Sequence, residues 1–231
     1  MGFKFILLSI IFVNALIFSA YSQTDNLKAD LSASTDIVSR YIWRGSELSG
    51  SPCVQPSVTL EYGKIFGGFW GSAPMAGEIE ADFLLGYSSD YFGLSVVDYF
   101  VTGDRDGSHK YFEWNKDKTF HDLSFEATFP GTEKIPFRAL VAFNFYGADT
   151  LNSRYYEAAW MFGKDDFTGE IFIGGTDAAG WYGNYEGVVN TGISFTKELQ
   201  ITDKFNLPVF SKIIINPQKE NIYFVFGITI K

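Results

Sequence analysis

The sequence predicts an all-β fold, a transmembrane antiparallel up-and-down β-barrel of about twelve strands. Three observations predict it. Apolar and polar residues alternate with period two in segment after segment. Short Gly, Asp, Asn, Ser and Pro clusters separate those segments. Aromatic residues make up 18% of the 231 residues while charged residues make up only 19%, below the roughly 25% typical of soluble chains. Alternation gives each strand one apolar and one polar face. Mean hydropathy is near zero. That excludes a bundle of membrane helices and fits strands whose apolar and polar positions average out.

The chain opens with a targeting signal rather than a strand. Lys4 supplies a basic start, residues 5–19 are almost wholly apolar, and Ala20-Tyr21-Ser22 puts small residues at the two positions a signal peptidase reads. This is the pattern of a cleaved secretory signal over residues 1–22, and the apolar run is short for a helical span of ~20 residues. Residues 23–231 are then the barrel.

Taken in order, the first segment places Leu31, Ala33, Thr35, Ile37, Tyr41 and Trp43 outward, and Asp30, Ser32, Ser34, Asp36, Arg40 and Arg44 inward. The second sets Val54, Val58, Leu60 and Tyr62 against Gln55, Ser57, Thr59 and Glu61. The third, residues 65–71, has Phe66, Gly68 and Trp70 outward. The fourth opposes Ile79, Ala81, Phe83, Leu85 and Tyr87 to Glu80, Asp82 and Gly86. The fifth, residues 92–101, alternates less cleanly. With Asp98 inward, Ser95, Val97, Tyr99 and Val101 face out.

The sixth sets Leu123, Phe125, Ala127 and Phe129 against Asp122, Ser124, Glu126 and Thr128. In the seventh, Phe137, Ala139, Val141, Phe143 and Phe145 oppose Arg138 and Asn144. The eighth has Tyr156, Ala158, Trp160 and Phe162 out and Glu157 in; the ninth has Phe167, Ile171 and Ile173 out and Glu170 in. The tenth opposes Val189, Thr191, Ile193 and Phe195 to Asn190, Ser194 and Thr196. The eleventh, residues 207–215, points Leu207, Val209, Ile213 and Ile215 out and Lys212 in. The last has Ile222, Phe224, Phe226, Ile228 and Ile230 outward.

On this outward face the only charge is Arg154, at a strand end where it can snorkel to water. Aromatic residues fall near both ends of that face, as membrane interfaces select. Tyr41, Trp43, Trp70, Phe145 and Tyr156 form the outer girdle; Tyr62, Tyr87, Phe129, Trp160, Phe162 and Phe195 form the inner one. The inner connections are tight and the longest outer ones are residues 102–118 and 177–186; the inner connection 197–206 breaks the rule. The competing fold is a soluble β-sandwich, which would turn the same apolar faces into a core.

The inward charges are the candidate lining of a pore. The acids are Asp30, Asp36, Glu61, Glu80, Asp82, Asp98, Asp122, Glu126, Glu157 and Glu170, and the bases are Arg40, Arg44, Arg138 and Lys212. The excess of acids predicts a cation-preferring lumen. Arg40 and Arg44 are expected to pair with Asp36, Glu80 or Asp82, as an internal ion-pair lattice or as a solute contact at a constriction.

The formal net charge of −9 argues against nucleic acid as a partner, since phosphate binding needs clustered Lys and Arg. The single cysteine, Cys53, excludes an intrachain disulfide. No phosphate loop, zinc-ligand spacing or nucleotide fingerprint occurs, so no cofactor or metal is expected. An enzyme is not expected either. A lipid hydrolase would need a Ser–His pair, yet His121 has outward parity and Ser124 inward. The expected partners are outer-membrane lipid, the barrel-assembly machinery and small solutes or ions. A diffusion pore leads, followed by a structural or adhesion barrel with a side-chain-plugged lumen.

The segment Ser39-Arg40-Tyr41-Ile42-Trp43-Arg44-Gly45-Ser46, followed by Pro52 and Gln55-Pro56, resembles the opening of the TorF-type family of bacterial outer-membrane porins. The likeness continues in Gly67-Gly68-Phe69-Trp70-Gly71-Ser72, Glu78-Ile79-Glu80-Ala81-Asp82, Leu207-Pro208-Val209, Asn216-Pro217 and Tyr223-Phe224-Val225-Phe226-Gly227-Ile228. The middle of the chain is similar only in rhythm. The resemblance implies an outer-membrane barrel with a porin role. Such barrels often end in an aromatic residue used in assembly recognition; this chain ends Ile228-Thr229-Ile230-Lys231, with Phe226 the nearest aromatic.

Overall fold

The computed structural model describes residues 28–103 and 107–231. The expected signal peptide lies outside the described residues. The described chain forms a closed antiparallel barrel of twelve strands plus a separate two-stranded hairpin. The elements are β1 (Ala29–Val38), β2 (Tyr41–Trp43), β3 (Ser46–Ser49), β4 (Cys53–Tyr62), β5 (Ile65–Pro74), β6 (Glu80–Ser88), β7 (Gly93–Phe100), β8 (His121–Phe129), β9 (Phe137–Gly147), β10 (Arg154–Lys164), β11 (Phe167–Thr176), β12 (Gly187–Thr202), β13 (Phe205–Asn216) and β14 (Asn221–Ile230).

Each barrel strand pairs with its neighbours in sequence, and β1 closes the ring by pairing with both β4 and β14. Closure gives every barrel strand a neighbour on both sides. The seam is short. Only Thr35 to Val38 register against β14, whereas all of β1 registers against β4.

One end of the barrel carries tight turns at residues 63–64, 165–166 and 203–204. The opposite, loop end carries the connections 101–120 and 177–186. The expected long connection at 197–206 does not exist. β12 runs on to Thr202, and Asp203-Lys204 form a two-residue turn.

The outward face is apolar and exposed. Leu31, Leu85, Trp160, Ile222 and Phe224 are each more than half accessible. A sandwich would have buried these side chains in a core; here most of the buried side chains lie inside the ring.

Three strand assignments change. The first segment stops at Val38, and residues 41–49 turn back as the hairpin β2–β3, so Tyr41 and Trp43 are not outward girdle residues. The third strand has opposite parity, because Trp70 registers against Ser57 and Asp82, and Phe66 against Glu61 and Gly86, all inward. The fifth is likewise reversed. Val97 registers against inward Leu84 and Ser124, so Val97 and Tyr99 face in and Asp98 faces out.

Val189 also turns inward and is fully buried, because a register shift at Gly174/Gly175 inserts it as an extra residue between Val188 and Asn190. A bulge of this kind re-aims one side chain without breaking the strand.

Candidate functional site: the barrel interior

The interior is organised by the hairpin between β1 and β4. Its turn is Arg44-Gly45, flanked by the pair Trp43 and Ser46. Both turn residues have positive φ, +49° at Arg44 and +82° at Gly45, the geometry that two-residue hairpins require. The tip is seated against β12. A Cβ on Gly45 would lie 2.0 Å from the Val189 carbonyl oxygen, and Asn216 Nδ2 donates to the Gly45 carbonyl at 2.9 Å. Only glycine fits there.

Three successive side chains of β2 reach different walls. Tyr41 packs on Trp70 with ring centroids 5.5 Å apart and hydrogen-bonds Glu80. Ile42 joins the buried cluster of Ala159, Phe172, Ile214, Tyr223 and Val225. Trp43 packs on Tyr99 and Tyr182 at 5.3 and 5.4 Å. The β2 strand of the hairpin is therefore half-buried among side chains of the surrounding strands, while Glu47 and Leu48 of β3 stay exposed.

Arg44, beyond Trp43, is the centre of a polar lattice. It donates to Glu126 Oε1 at 2.5 Å, to the Tyr182 hydroxyl at 2.7 Å and to the Tyr99 hydroxyl at 3.4 Å. Tyr99 in turn donates to Glu126 at 2.7 Å. The guanidinium also lies 4.7, 4.9 and 5.3 Å from the rings of Trp43, Tyr155 and Tyr182, within cation–π range. Tyr182 sits in the 177–186 loop. Burial pushes its hydroxyl above the ordinary tyrosine range, with Arg44 opposing, so it stays protonated and donates to Asn144.

A second cluster lies on β9–β12. Arg138 donates to Glu157 at 2.9 Å and to Glu170 at 3.1 Å. Tyr155 donates to Glu157 at 2.5 Å, and Asn190 Nδ2 reaches both Tyr155 and Glu157. Among the described residues, Glu157 accepts from three residues and Glu170 from Arg138 alone; the more buried acid has the fuller set of donors.

The other expected lining residues are scattered. Asp36 accepts from Thr229 at 2.7 Å. Glu61 is exposed at the turn end, whereas Glu80 and Asp82 are buried. Asp122 is buried and accepts from the Asp149 backbone N–H at 2.7 Å, and Lys212 lies over Phe210. Arg40 pairs with Glu47 of its own hairpin at 3.2 Å, and Arg44 with Glu126. Neither takes the expected partner among Asp36, Glu80 and Asp82, because the chain turns inward after Val38 instead of continuing along the wall.

Asp98 is not a lining residue. It faces outward and meets His121 Nδ1 at 2.8 Å, while His121 Nε2 meets the Tyr111 carbonyl at 2.6 Å. Trp114 stacks on His121 with centroids 3.8 Å apart, and Tyr146 donates to the Trp114 carbonyl. Tyr111 and Trp114 of the connection thus lie over the wall and cover this pair. Arg154 is therefore not the only outward charge; it too is paired, with Asp177 at 3.0 Å.

Free space is unevenly divided. A cavity of about 980 Å³ at the turn end is lined in part by Asp36, Glu170, Ser194, Lys212 and Thr229. A smaller one of about 210 Å³ shares Glu170 and Lys212 and reaches Arg44 and Gly45. On the other side of the hairpin, Trp43 and Ser46 help line a separate cavity of about 240 Å³. Tyr99, Tyr155, Tyr182 and Asn190 complete the lattice and were not among the expected site residues. Among the described residues no cluster of three or more His, Cys, Asp or Glu side chains is placed to hold a metal ion.

No protein-family model matches this chain, and no curated protein matches it.

Proposed function

We propose that this protein is an outer-membrane barrel that passes small ions or solutes through a narrow constriction formed by the hairpin tip. One observation carries the constriction: Arg44, on an inward hairpin, bonds Glu126 on the wall strand β8, while two cavities that share Glu170 and Lys212 lie between it and the turn end. The membrane reading rests on the outward face. Every barrel strand exposes large apolar side chains, where soluble monomers expose them mostly singly, and an apolar band on a closed barrel is what a bilayer stabilises. The tight-turn end would then be periplasmic and the long loops external. The resemblance of the Tyr41–Gly45 region to TorF-type porins supports the same reading.

A second reading has its own observation. The Arg44 side chain is only 8% exposed and Glu126 only 14%, so the lattice is dry and well bonded. That favours a sealed structural barrel. Single-channel recording in a planar bilayer separates the two. Val38 and Cys53 are registered partners, so residues 39–52 can be replaced by a two-residue Asn-Gly turn without moving either strand. Small steps from the parent protein and larger ones from this variant support the constricted pore. A silent parent with a conducting variant assigns the hairpin as a plug. Silence from both removes the pore reading.

A further inference from the structure

The loop end holds a cavity that the pore reading does not use. It measures about 240 Å³ and is lined by Trp43, Glu80, Tyr99, Phe120, Asp122 and Trp181, among others. Its charged lining residues are both acids, and aromatic side chains supply much of the rest. Asp122 is only 1% exposed, and its Oδ2 has no hydrogen-bond partner among the described residues. Its other oxygen is already used by the Asp149 N–H. That oxygen is sealed from the cavity, and the charges nearest it are other carboxylates, Asp149 and Asp98; an occupant carrying positive charge would therefore be stabilised by Asp122 across the low-dielectric wall, without touching it.

The lining selects among occupants. Two carboxylates repel an anion. A neutral apolar molecule would leave both carboxylates without a counter-charge. A bare divalent cation needs six or more oxygen ligands, and the aromatic walls offer few. Indole and phenol faces do attract organic cations, and desolvated aromatic cages are the usual means of holding ammonium groups. The nearby Arg44 is not among the lining residues, and its charge is matched by Glu126 at 2.5 Å. We propose that this cavity binds a small organic ammonium ion entering from the loop end, with Glu80 and Asp122 supplying charge and Trp43 and Trp181 supplying ring faces.

The test uses the full mature protein in detergent, in mildly alkaline buffer, with choline as the probe and 3,3-dimethylbutan-1-ol as its uncharged isostere. Trp43 and Trp181 both line the cavity, so intrinsic fluorescence reports occupancy. Choline is expected to give a saturable change, with the isostere binding at least roughly tenfold more weakly. Asp122→Asn is expected to abolish binding. Trp181 is on a loop and 45% exposed, so Trp181→Leu leaves the barrel intact and is expected to weaken binding by roughly threefold to tenfold. Equal affinity for the isostere, no saturable signal, or unchanged choline binding in the Trp181 variant would each overturn the proposal. Binding in detergent needs no conduction, so the site survives or fails independently of the pore.

Discussion

Arg44 and Glu126 meet at 2.5 Å across the barrel interior, joining the tip of an inward hairpin to the wall strand β8. Both side chains are largely withdrawn from water, so their value lies in being paired. Taking one partner away leaves a buried charge, which costs about 3–5 kcal/mol. Arg44→Ala and Glu126→Ala are each expected to destabilise by about that amount, and the double variant by much less than the sum. Urea unfolding of the four proteins in one detergent measures the coupling. Additive losses would mean that the two side chains act independently.

Gly45 is the residue that lets the tip dock. A methyl group there would overlap the Val189 backbone, and the position holds φ of +82°. Gly45→Ala is therefore expected to dislodge the tip while leaving the barrel wall intact. Chymotrypsin should then cleave at Tyr41 or Trp43, which are enclosed in the parent. Protection of both sites in a folded variant would show that the hairpin can shift and stay inside.

The Asp98–His121 pair is expected to act as a latch for the 101–120 loop. Both ring nitrogens of His121 face acceptors, the Asp98 carboxylate and the Tyr111 carbonyl. His121→Leu removes both contacts and leaves an outward carboxylate unpaired. Trypsin is expected to cut the variant faster at Lys110 or Lys116, with the barrel remaining folded. Equal cleavage rates would place the loop's anchorage in its aromatic contacts, such as Tyr111 on Phe100 at 5.1 Å.

At the turn end, Asp166 accepts a hydrogen bond from Lys197, which holds its carboxyl below the ordinary aspartate range. The sign follows directly. A lowered folded-state value adds stability above the unfolded value and loses it as pH falls through the folded one. The group is fully exposed, so the effect on stability is small and the titration itself is the readout. An NMR titration is expected to show Asp166 below the ordinary aspartate range, and Lys197→Met is expected to return it to that range.

Much of the barrel was readable because one face of each strand is apolar, and parity fixes all side chains of a strand at once. The errors share a physical origin. Strand β5 has a glycine on each face (Gly67, Gly68), and β7 turns apolar Val97 inward and charged Asp98 outward, so their alternation does not choose a side. The first segment was read through Ser39 because Tyr41 and Trp43 continue its period. The contrary signal was Arg44-Gly45, a two-residue turn, with Ser49, Gly50 and Pro52 marking a second. The lattice partners Tyr155 and Tyr182 were not legible, since nothing local says that a tyrosine on β10 and another in a distant loop share one arginine.

The last prediction concerns ion preference. With Asp98 moved outside, the inward set is Asp30, Asp36, Glu61, Glu80, Asp82, Asp122, Glu126, Glu157 and Glu170 against Arg40, Arg44, Arg138 and Lys212. Acids still exceed bases about two to one, and acidic linings favour cations. The surplus is unevenly placed. Arg44 and Arg138 sit at the level where the cavities narrow, each neutralised by its partners. The unmatched acids, Asp36 and Glu61 among them, lie towards the wider turn end. A low-dielectric wall focuses that field along the lumen. A cation preference that weakens as salt screens it is therefore expected. The measurement is the reversal potential across a salt gradient, repeated with Asp36→Asn. A smaller cation preference in that variant places selectivity in the vestibule. An anion preference in the parent would instead assign selectivity to Arg44 at the narrowest point.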